Sequence, residues 1–248
     1  MILTFFGTGG AGAPPHRMGM CIGVETKSAR ILLDVGEGCS RTLRALGYRL
    51  RDFDAIVITH AHPDHCAGIF DLFVSAMAEN ALPDCIAIVL LQQTLVDSRV
   101  ALELLPRSVR ERIIIKYLDN GKVFRYGDIT VTPVEAYHTV PAVSLVVSDK
   151  ETKIFYTGDT WLNEEILNAM KGCSTVITEV ALPSSESAKA KNLGHISADM
   201  VPQIRASIDP DALLVLTHVT ARSEPEVVKL SKELKKTIVP ADGTVVYV

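Results

Sequence analysis

Apolar runs alternate with segments of helical spacing along most of the chain. Short continuous apolar runs, such as AIVIT at 55–59 and IAIVLL at 86–91, are typical of strands that are buried on both faces of a sheet. Segments such as AGIFDLFVSAMAEN at 67–80 instead place apolar residues three and four positions apart, which indicates amphipathic helices. Several strands follow one another between 112 and 159, and strand and helix then alternate again to the end.

This order of elements predicts an α/β fold with two mixed sheets packed face to face and helices on both outer sides. The expected architecture is therefore a four-layer αββα sandwich of two related halves, approximately 1–118 and 119–248. A chain of 248 residues can bury a large core without disulfides or a structural metal. Because no low-complexity segment or linker interrupts the pattern, we predict a single domain over 1–248.

Composition narrows the classes of function and partner. The chain is 48% hydrophobic and 22% charged with a net charge of −4, and no basic tail or arm indicates binding of long nucleic acid. The five cysteines are scattered without a CxxC pair, which favours buried thiols in a reducing compartment. The segment MILTFFGTGGAG lacks the features of a signal peptide and is too short to span a membrane. We therefore expect a cytoplasmic protein that does not bind membranes, and a homodimer stays open as its oligomeric state.

Histidines are concentrated in the stretch THAHPDHCAG at 59–68. Three of the chain's seven histidines lie within six positions there, with an aspartate before the third. His60 and His62 follow a strand and point the same way in extended chain because they are two residues apart. Other polar residues are expected after later strands, following VTPVEAY, IFYTG, NLG and LLVLT: His138, Asp159, His195 and His218. Strand ends are where α/β proteins place their binding sites, so a shared site is favoured over unrelated surface or capping residues.

These segments resemble the motifs of the metallo-β-lactamase superfamily of hydrolases. THAHPDHCAG, YHTVP, YTGDT and LTHVT occur in the order typical of that superfamily, and FFGTGGAG and LLDVGEG near the start are also similar to it. The resemblance covers essentially the whole chain. Class B β-lactamases use a cysteine as a ligand of the second metal, whereas this chain has Asp159 in a GD turn. That difference argues against β-lactam hydrolysis.

Neutral imidazoles and carboxylates are ligands of Zn²⁺ and similar metals, and one tetrahedral ion needs three or four of them. By similarity, the first metal takes His60, His62 and His138, and the second takes Asp64, His65 and His218. Asp159 is the expected bridge because a carboxylate has two oxygens. Two such ions lie roughly 3.5–4 Å apart and hold a hydroxide between them. We therefore expect two divalent metal ions, with Zn²⁺ as the first choice and Mn²⁺ or Fe²⁺ as alternatives.

Two further residues resemble the ribonuclease Z branch of the superfamily and its phosphodiesterase relatives. There a histidine like His195, in GHIS, acts on the scissile phosphate or the leaving group, and a glutamate like Glu179, in TEV, orients it. A phosphodiester expels an alkoxide that needs a proton, whereas a thiolate, whose conjugate acid has a pKa of about 8.5, leaves without much help. His195 and Glu179 are thus predicted catalytic residues, and Asp64 of the histidine-rich stretch is predicted as a third. A capping role for His195 and a surface charge for Glu179 are the alternatives.

One segment of the ribonuclease Z branch is missing. Those proteins carry a tRNA-clamping arm between the third histidine and the bridging aspartate, but only 20 residues separate His138 from Asp159 here, enough for one hairpin. We therefore expect a small anionic phosphodiester as substrate, such as a cyclic nucleotide, a cyclic phosphate or a short oligonucleotide, and not tRNA. His16 and Arg17, in GAPPHRMG, are predicted to approach the substrate, with a plain solvated loop as the alternative.

Two other functions stay open. The first is hydrolysis of a thioester or lactone, as in glyoxalase II, which the same metal site would support. The second is a non-hydrolytic protein, either a binding module or an iron-containing redox protein. A redox role would require a flavin domain, and a chain of 248 residues with this pattern leaves no room for one.

Overall fold

Fourteen strands form two seven-stranded sheets in the part of the chain that the computed structural model describes, residues 1–118 and 122–248. In chain order the strands are β1 Ile2–Gly7, β2 Cys21–Glu25, β3 Arg30–Leu33, β4 Ala55–Val57, β5 Ile86–Leu90, β6 Ile113–Tyr117, β7 Phe124–Tyr126, β8 Ile129–Glu135, β9 Val143–Ser148, β10 Lys153–Tyr156, β11 Thr175–Glu179, β12 Leu213–Thr217, β13 Thr237–Ile238 and β14 Val245–Tyr247. The first sheet has the order β14-β1-β2-β3-β4-β5-β6, and the second has the order β13-β12-β11-β10-β9-β8-β7.

The two sheets have the same pattern of strand directions. In the first, β3, β4, β5 and β6 are parallel and the pairs from β14 to β3 are antiparallel. In the second, β10, β11, β12 and β13 are parallel and the pairs from β7 to β10 are antiparallel. Parallel strands present their carboxyl ends at one edge of a sheet, and this edge is where ligands bind in α/β folds.

Helices cover the outer face of each sheet. They are α1 Cys39–Ala45, α2 Pro63–Cys66, α3 Gly68–Ala78, α4 Gln92–Glu103, α5 Arg107–Arg110, α6 Glu164–Met170, α7 Ser187–Leu193, α8 Val201–Ser207 and α9 Glu224–Glu233. Three short 3₁₀ segments add Leu50–Asp52, Ser184–Glu186 and Ala198–Met200. The sequence pattern did not predict α5 or α7, because each is short and buries a single side chain, Val109 or Ala190.

Three apolar clusters fill the spaces between these layers. The central cluster joins the facing sides of the two sheets, with Val57 and Val89 from the first sheet and Val147 and Ile154 from the second. A second cluster packs α1 and α3 on the first sheet, and a third packs α6 and α8 on the second. The order helix, sheet, sheet, helix confirms the predicted αββα sandwich.

The last strand crosses between the predicted halves. β14 belongs by sequence to 119–248, but it pairs with β1 in the first sheet, with Val246 opposite Leu3. Backbone pairing along β14 covers an edge of β1 that would otherwise be exposed. The boundary at 118/119 lies at the edge of the described residues, and the single domain of two related halves stays a prediction.

Helix length and cysteine burial are two features that can be compared with what the composition predicts. Among the described residues, no helix is both long and apolar enough to cross a lipid bilayer. Four cysteines are buried, and Cys85 is exposed. The cytoplasmic location and the oligomeric state stay predictions.

The central cluster should dominate the stability of the fold. Replacing Ile154, which is fully buried in that cluster, with alanine should lower the free energy of unfolding by about 2–5 kcal/mol, because it leaves a cavity between the sheets. Ile114→Ala is the matched control, since Ile114 also lies in a strand but is 48% exposed. Denaturant unfolding measures both, and equal losses in the two variants would contradict the assigned core.

Candidate metal centre

The histidine-rich stretch turns from strand to helix at the edge of the first sheet. β4 ends at Val57, the chain passes through His60, and α2 begins at Pro63 with His62 as its N-cap residue. Proline suits the first position of a helix because it lacks an amide hydrogen that would have no partner there. Asp64 and His65 then lie in the first turn of α2. A strand-to-helix turn thus brings four potential ligands together within six residues.

The first group of potential ligands combines His60, His62, His138 and Asp159, whose donor atoms lie within 4.8 Å of one another. His138 Nε2 is 3.0 Å from His62 Nδ1, and His60 Nε2 is 3.5 Å from Asp159 Oδ2. His138 comes from the loop after β8 in the second sheet. The group is therefore assembled across both sheets.

The second group combines Asp64, His65 and His218. His218 Nε2 is 3.0 Å from Asp64 Oδ2 and 3.3 Å from Asp159 Oδ2, and His65 Nε2 is 3.1 Å from Asp159 Oδ1. His218 directly follows β12 and has a left-handed backbone with φ of 54°. The carboxylate of Asp159 thus faces both groups, with one oxygen near His65 and the other near His60 and His218.

Several buried polar atoms of this cluster have no hydrogen-bond partner among the described residues: His60 Nε2, His65 Nε2, His218 Nδ1 and Asp159 Oδ1. Burying a polar group without a partner is costly. Divalent cations would satisfy three of these atoms: His60 Nε2, His65 Nε2 and Asp159 Oδ1. Imidazole nitrogens and carboxylate oxygens are both suitable ligands. The donor set therefore fits divalent metal binding.

Electrostatics in the cluster follow from burial and from Asp159. Burial lowers the pKa of His60 well below its usual value, which favours the neutral imidazole that a metal requires. Burial alone would also lower the pKa of His65, but Asp159 and Asp34 together raise it. Burial would raise the pKa of Asp159, yet His218 and His65 hold it well below the usual range. Asp159 is therefore a carboxylate at neutral pH despite being 1% exposed.

Asp34, a buried aspartate that the sequence analysis did not predict as a site residue, holds His60 and His65 in place. Asp34 follows β3 with φ of 57° and accepts hydrogen bonds from the Tyr156 hydroxyl at 2.7 Å and from the Thr59 hydroxyl at 3.0 Å. Its Oδ2 is 2.8 Å from His65 Nδ1, so Nδ1 donates and Nε2 faces the cluster. Because the Thr59 hydroxyl donates to Asp34, it accepts from His60 Nδ1 at 3.0 Å. Asp34 thus orients both rings. The only indication of this role in the sequence is a polar residue directly after the apolar run in LLDVG.

His195 and Glu179 adjoin the two groups and form a third one with Asp159 and His218, with ligand atoms that also lie within 4.8 Å of one another. His195 Nδ1 lies 3.0 Å from both carboxylate oxygens of Glu179 and 3.8 Å from Asp159 Oδ2. Glu179 also accepts from the amides of Thr160 and Ala181. Burial opposes a charge on His195, but Glu179 outweighs it and raises the pKa of His195 to about 9. Glu179 therefore accepts a hydrogen bond from His195 Nδ1 and fixes the orientation of the ring, and the catalytic roles of both residues stay predictions.

Gly194 links that pair to the first group. It ends α7 in the left-handed region, with φ of 66°, and its amide and that of His195 donate to Lys191 and Ala190. These two bonds are the usual C-terminal cap with glycine. The Gly194 carbonyl accepts from His138 Nδ1 at 2.8 Å, which leaves His138 Nε2 for the cluster. A Cβ at Gly194 would lie 2.6 Å from His138 Cα, so only glycine fits. His195 thus follows a helix and not a strand, contrary to the sequence reading.

His16 and Arg17 lie outside the clusters. Arg17 has a 6% exposed side chain, and its guanidinium donates to Glu224, to the Thr8 hydroxyl and to the Pro240 carbonyl. His16 is 63% exposed and also contacts Glu224, at 3.1 Å. These contacts fix the loop after β1, in which Gly10 lies against the ring of His218. The role of both residues in substrate binding stays a prediction.

Comparisons with known proteins agree with this geometry. Ribonuclease Z of Brevibacillus brevis is 25% identical over 279 aligned positions, covering 91% of this chain and 87% of that protein. The metallo-β-lactamase fold protein YhfI from Bacillus subtilis superposes with a TM-score of 0.84 at 16% identity, covering 99% of each chain. The short form of human tRNase Z superposes with a TM-score of 0.78 at 21% identity, covering 100% of this chain and 99% of that one.

A family described as Anti-Pycsar protein Apyc1 matches residues 1–205, most of the chain. The ribonuclease Z relatives and the shared fold place the protein in the metallo-β-lactamase superfamily, in the branch of ribonuclease Z and its phosphodiesterase relatives. The chain is therefore a metal-dependent hydrolase that belongs to the Anti-Pycsar protein Apyc1 family.

Proposed function

We propose that this protein hydrolyses a small phosphodiester with two divalent metal ions, most simply Zn²⁺. The observation that carries the proposal is the pair of adjoining ligand groups that face a single carboxylate, Asp159, with His195 Nδ1 3.8 Å from that carboxylate. One ion needs only three or four ligands, and this cluster offers seven. The cluster therefore supplies enough ligands for two.

The ligand roles follow from the two groups. His60, His62 and His138 would hold one ion, Asp64, His65 and His218 would hold the other, and Asp159 would contact both. When bound, such ions supply positive charge for an anionic substrate and make a water nucleophile available near neutral pH. Asp34 and the Gly194 carbonyl keep three histidine rings in the tautomer that directs Nε2 inward.

His195 is the proposed general acid. Its Nδ1 proton is donated to Glu179, and its side chain is 19% exposed, so Nε2 can reach a bound substrate with a second proton. A pKa of about 9 keeps this imidazolium charged at neutral pH in the metal-free protein. Nearby divalent cations would lower that pKa and make the proton easier to transfer. An alkoxide leaving group requires such a proton, which favours a phosphodiester over a thioester.

The segment between His138 and Asp159 supports a small substrate. β9 and β10 pair as an antiparallel hairpin that fills this segment, with Lys153 opposite Ser148. The alignment to the Brevibacillus brevis ribonuclease Z has 279 positions, more than this whole chain, so that relative carries residues that are missing here. The lack of an arm at the hairpin supports a compact diester, such as a cyclic nucleotide, a cyclic phosphate or a short oligonucleotide, and not tRNA.

Metal-loaded protein should contain about two metal ions per chain, because seven ligands exceed the needs of one ion. His60→Ala should lose metal from one group and most activity on a bis-aryl phosphodiester. His16→Ala is the matched control for metal content, since its ring is largely exposed and lies outside the cluster. Elemental analysis after removal of loosely bound metal measures the content. One ion or none in the wild type would contradict the proposal of two metal ions. Turnover of thioesters alone would contradict the proposed phosphodiesterase activity.

Asp159→Ala should reduce metal in both groups, because its carboxylate faces His65 on one side and His60 on the other. Asp211→Ala is the control, since Asp211 is exposed and precedes β12, at the opposite end of that strand from His218. Metal titration followed by mass spectrometry under native conditions distinguishes the loss of one ion from the loss of two. Full metal content and full rate in Asp159→Ala would show that the bridging role is wrong.

His195→Ala should keep both metals and lose rate in proportion to the need of the leaving group for a proton. An alkyl or nucleoside diester should lose about 10²–10⁴-fold, the usual worth of a general acid. A p-nitrophenyl diester should lose far less because its phenolate leaves without a proton. Measuring both rates and the metal content decides the role. Equal losses on the two substrates would remove the general-acid role, and a fall in stability and metal content would make His195 structural.

A further inference from the structure

Three side chains that the proposed chemistry does not use lie beside the metal centre. Tyr137 directly precedes His138, Trp161 lies two residues after Asp159, and Lys191 lies four residues before His195. Trp161 contacts both of the others: its ring centroid is 5.9 Å from that of Tyr137 and 4.9 Å from Lys191 Nζ. Tyr137 lines the same cleft as His138, so the trio lies beside the first ligand group.

The Tyr137 backbone is held on both sides. Its amide donates to the Thr160 hydroxyl at 3.0 Å, and its carbonyl accepts from the Trp161 amide at 2.8 Å. The ring meets Trp161 edge to face, at 65°. Even so, Tyr137 remains 50% exposed, unlike most large aromatic residues of this protein. A rigid backbone with an exposed ring offers a ligand a flat surface at little cost in ordering.

Space next to Tyr137 suits a planar ligand, and one cation lies nearby. A cleft of about 500 Å³ runs along the same loop and is lined by Tyr137, His138, Pro141 and the acidic Glu135 among others, whereas Trp161 and Lys191 lie outside its lining. That volume is in the range of small-molecule sites. The Lys191 ammonium rests on Trp161 through a cation–π contact, and among the described residues no carboxylate forms an ion pair with it. Its charge is thus available to a negatively charged ligand.

We propose that Tyr137, supported by Trp161 and Lys191, is a stacking subsite for a planar aromatic group of the substrate, of the kind that a nucleobase supplies. The inference rests on the proposed function, since it requires the phosphate to bind at the metal centre next to His138. An aromatic side chain stacks on any base, so the subsite selects for the presence of an aromatic group and not for its identity. Diesters with an aromatic group should therefore bind more tightly than aliphatic ones.

Binding of two phosphate monoesters to the metal-loaded full chain tests the subsite without requiring turnover. Adenosine 5′-monophosphate carries an aromatic base, and ribose 5-phosphate carries the same sugar phosphate without one. Tyr137→Ala should weaken binding of the first by about 5- to 150-fold, the usual worth of one base stacked on an aromatic ring, and leave the second unchanged. Calorimetric titration gives both constants. Trp161, the chain's only tryptophan, adds a fluorescence signal that should change with the first ligand only.

Two variants separate stacking from structural damage. Tyr137→Phe keeps the ring and should bind both ligands as the wild type does. Tyr247→Ala removes an exposed tyrosine of β14 outside the trio and should also bind normally. Equal affinity of the wild type for both ligands, unchanged binding in Tyr137→Ala, or equal weakening of both ligands would each overturn the subsite. A protein that binds adenosine monophosphate through Tyr137 but hydrolyses no phosphodiester would instead contradict the proposed function alone.

Discussion

The buried carboxylate of Asp159 is the constraint on which the site depends. It follows β10 in the second sheet, yet its oxygens lie close to His60 and His65, which follow β4 in the first sheet. A charged group that is 1% exposed is stable only when cations or hydrogen-bond donors surround it. The two sheets must therefore meet so that their parallel strands end together. The apolar cluster between the sheets sets that position, and so the core and the metal centre are parts of one geometric requirement.

A second layer of polar residues holds the ligands in place. Asp34, on a strained left-handed backbone, connects Tyr156 of the second sheet with Thr59 and His65 of the first. Glu179 does the same for His195, and the Gly194 carbonyl does it for His138. Each of these contacts fixes which imidazole nitrogen carries the hydrogen, which is the usual task of groups behind metal ligands. Metal binding then requires little rearrangement of the protein.

Helix α7 connects the metal centre with the proposed stacking subsite. Its cap places His195 beside Asp159, and its Lys191 reaches Trp161 next to the exposed Tyr137. The chain has only the β9–β10 hairpin between His138 and Asp159, so in the proposed function the contacts with substrate outside the metal centre come from short loops. A stacking residue beside the third histidine is a compact way to obtain affinity without an added domain.

The sequence by itself determined the layers of the fold and predicted nearly all of the residues that come together in the candidate metal centre. Apolar runs indicate buried strands directly, and His and Asp residues after such runs indicate the edge of the sheet at which the site forms. The sequence could not show that β14 joins the first sheet, since strand partners depend on distant chain segments. Nor did it reveal α7, whose one buried alanine leaves no apolar period, or the role of Asp34, whose partners lie up to 122 residues away. Only the tertiary structure decided these points, because the tautomer of a histidine and the exposure of Tyr137 depend on which groups from other strands come to lie beside them.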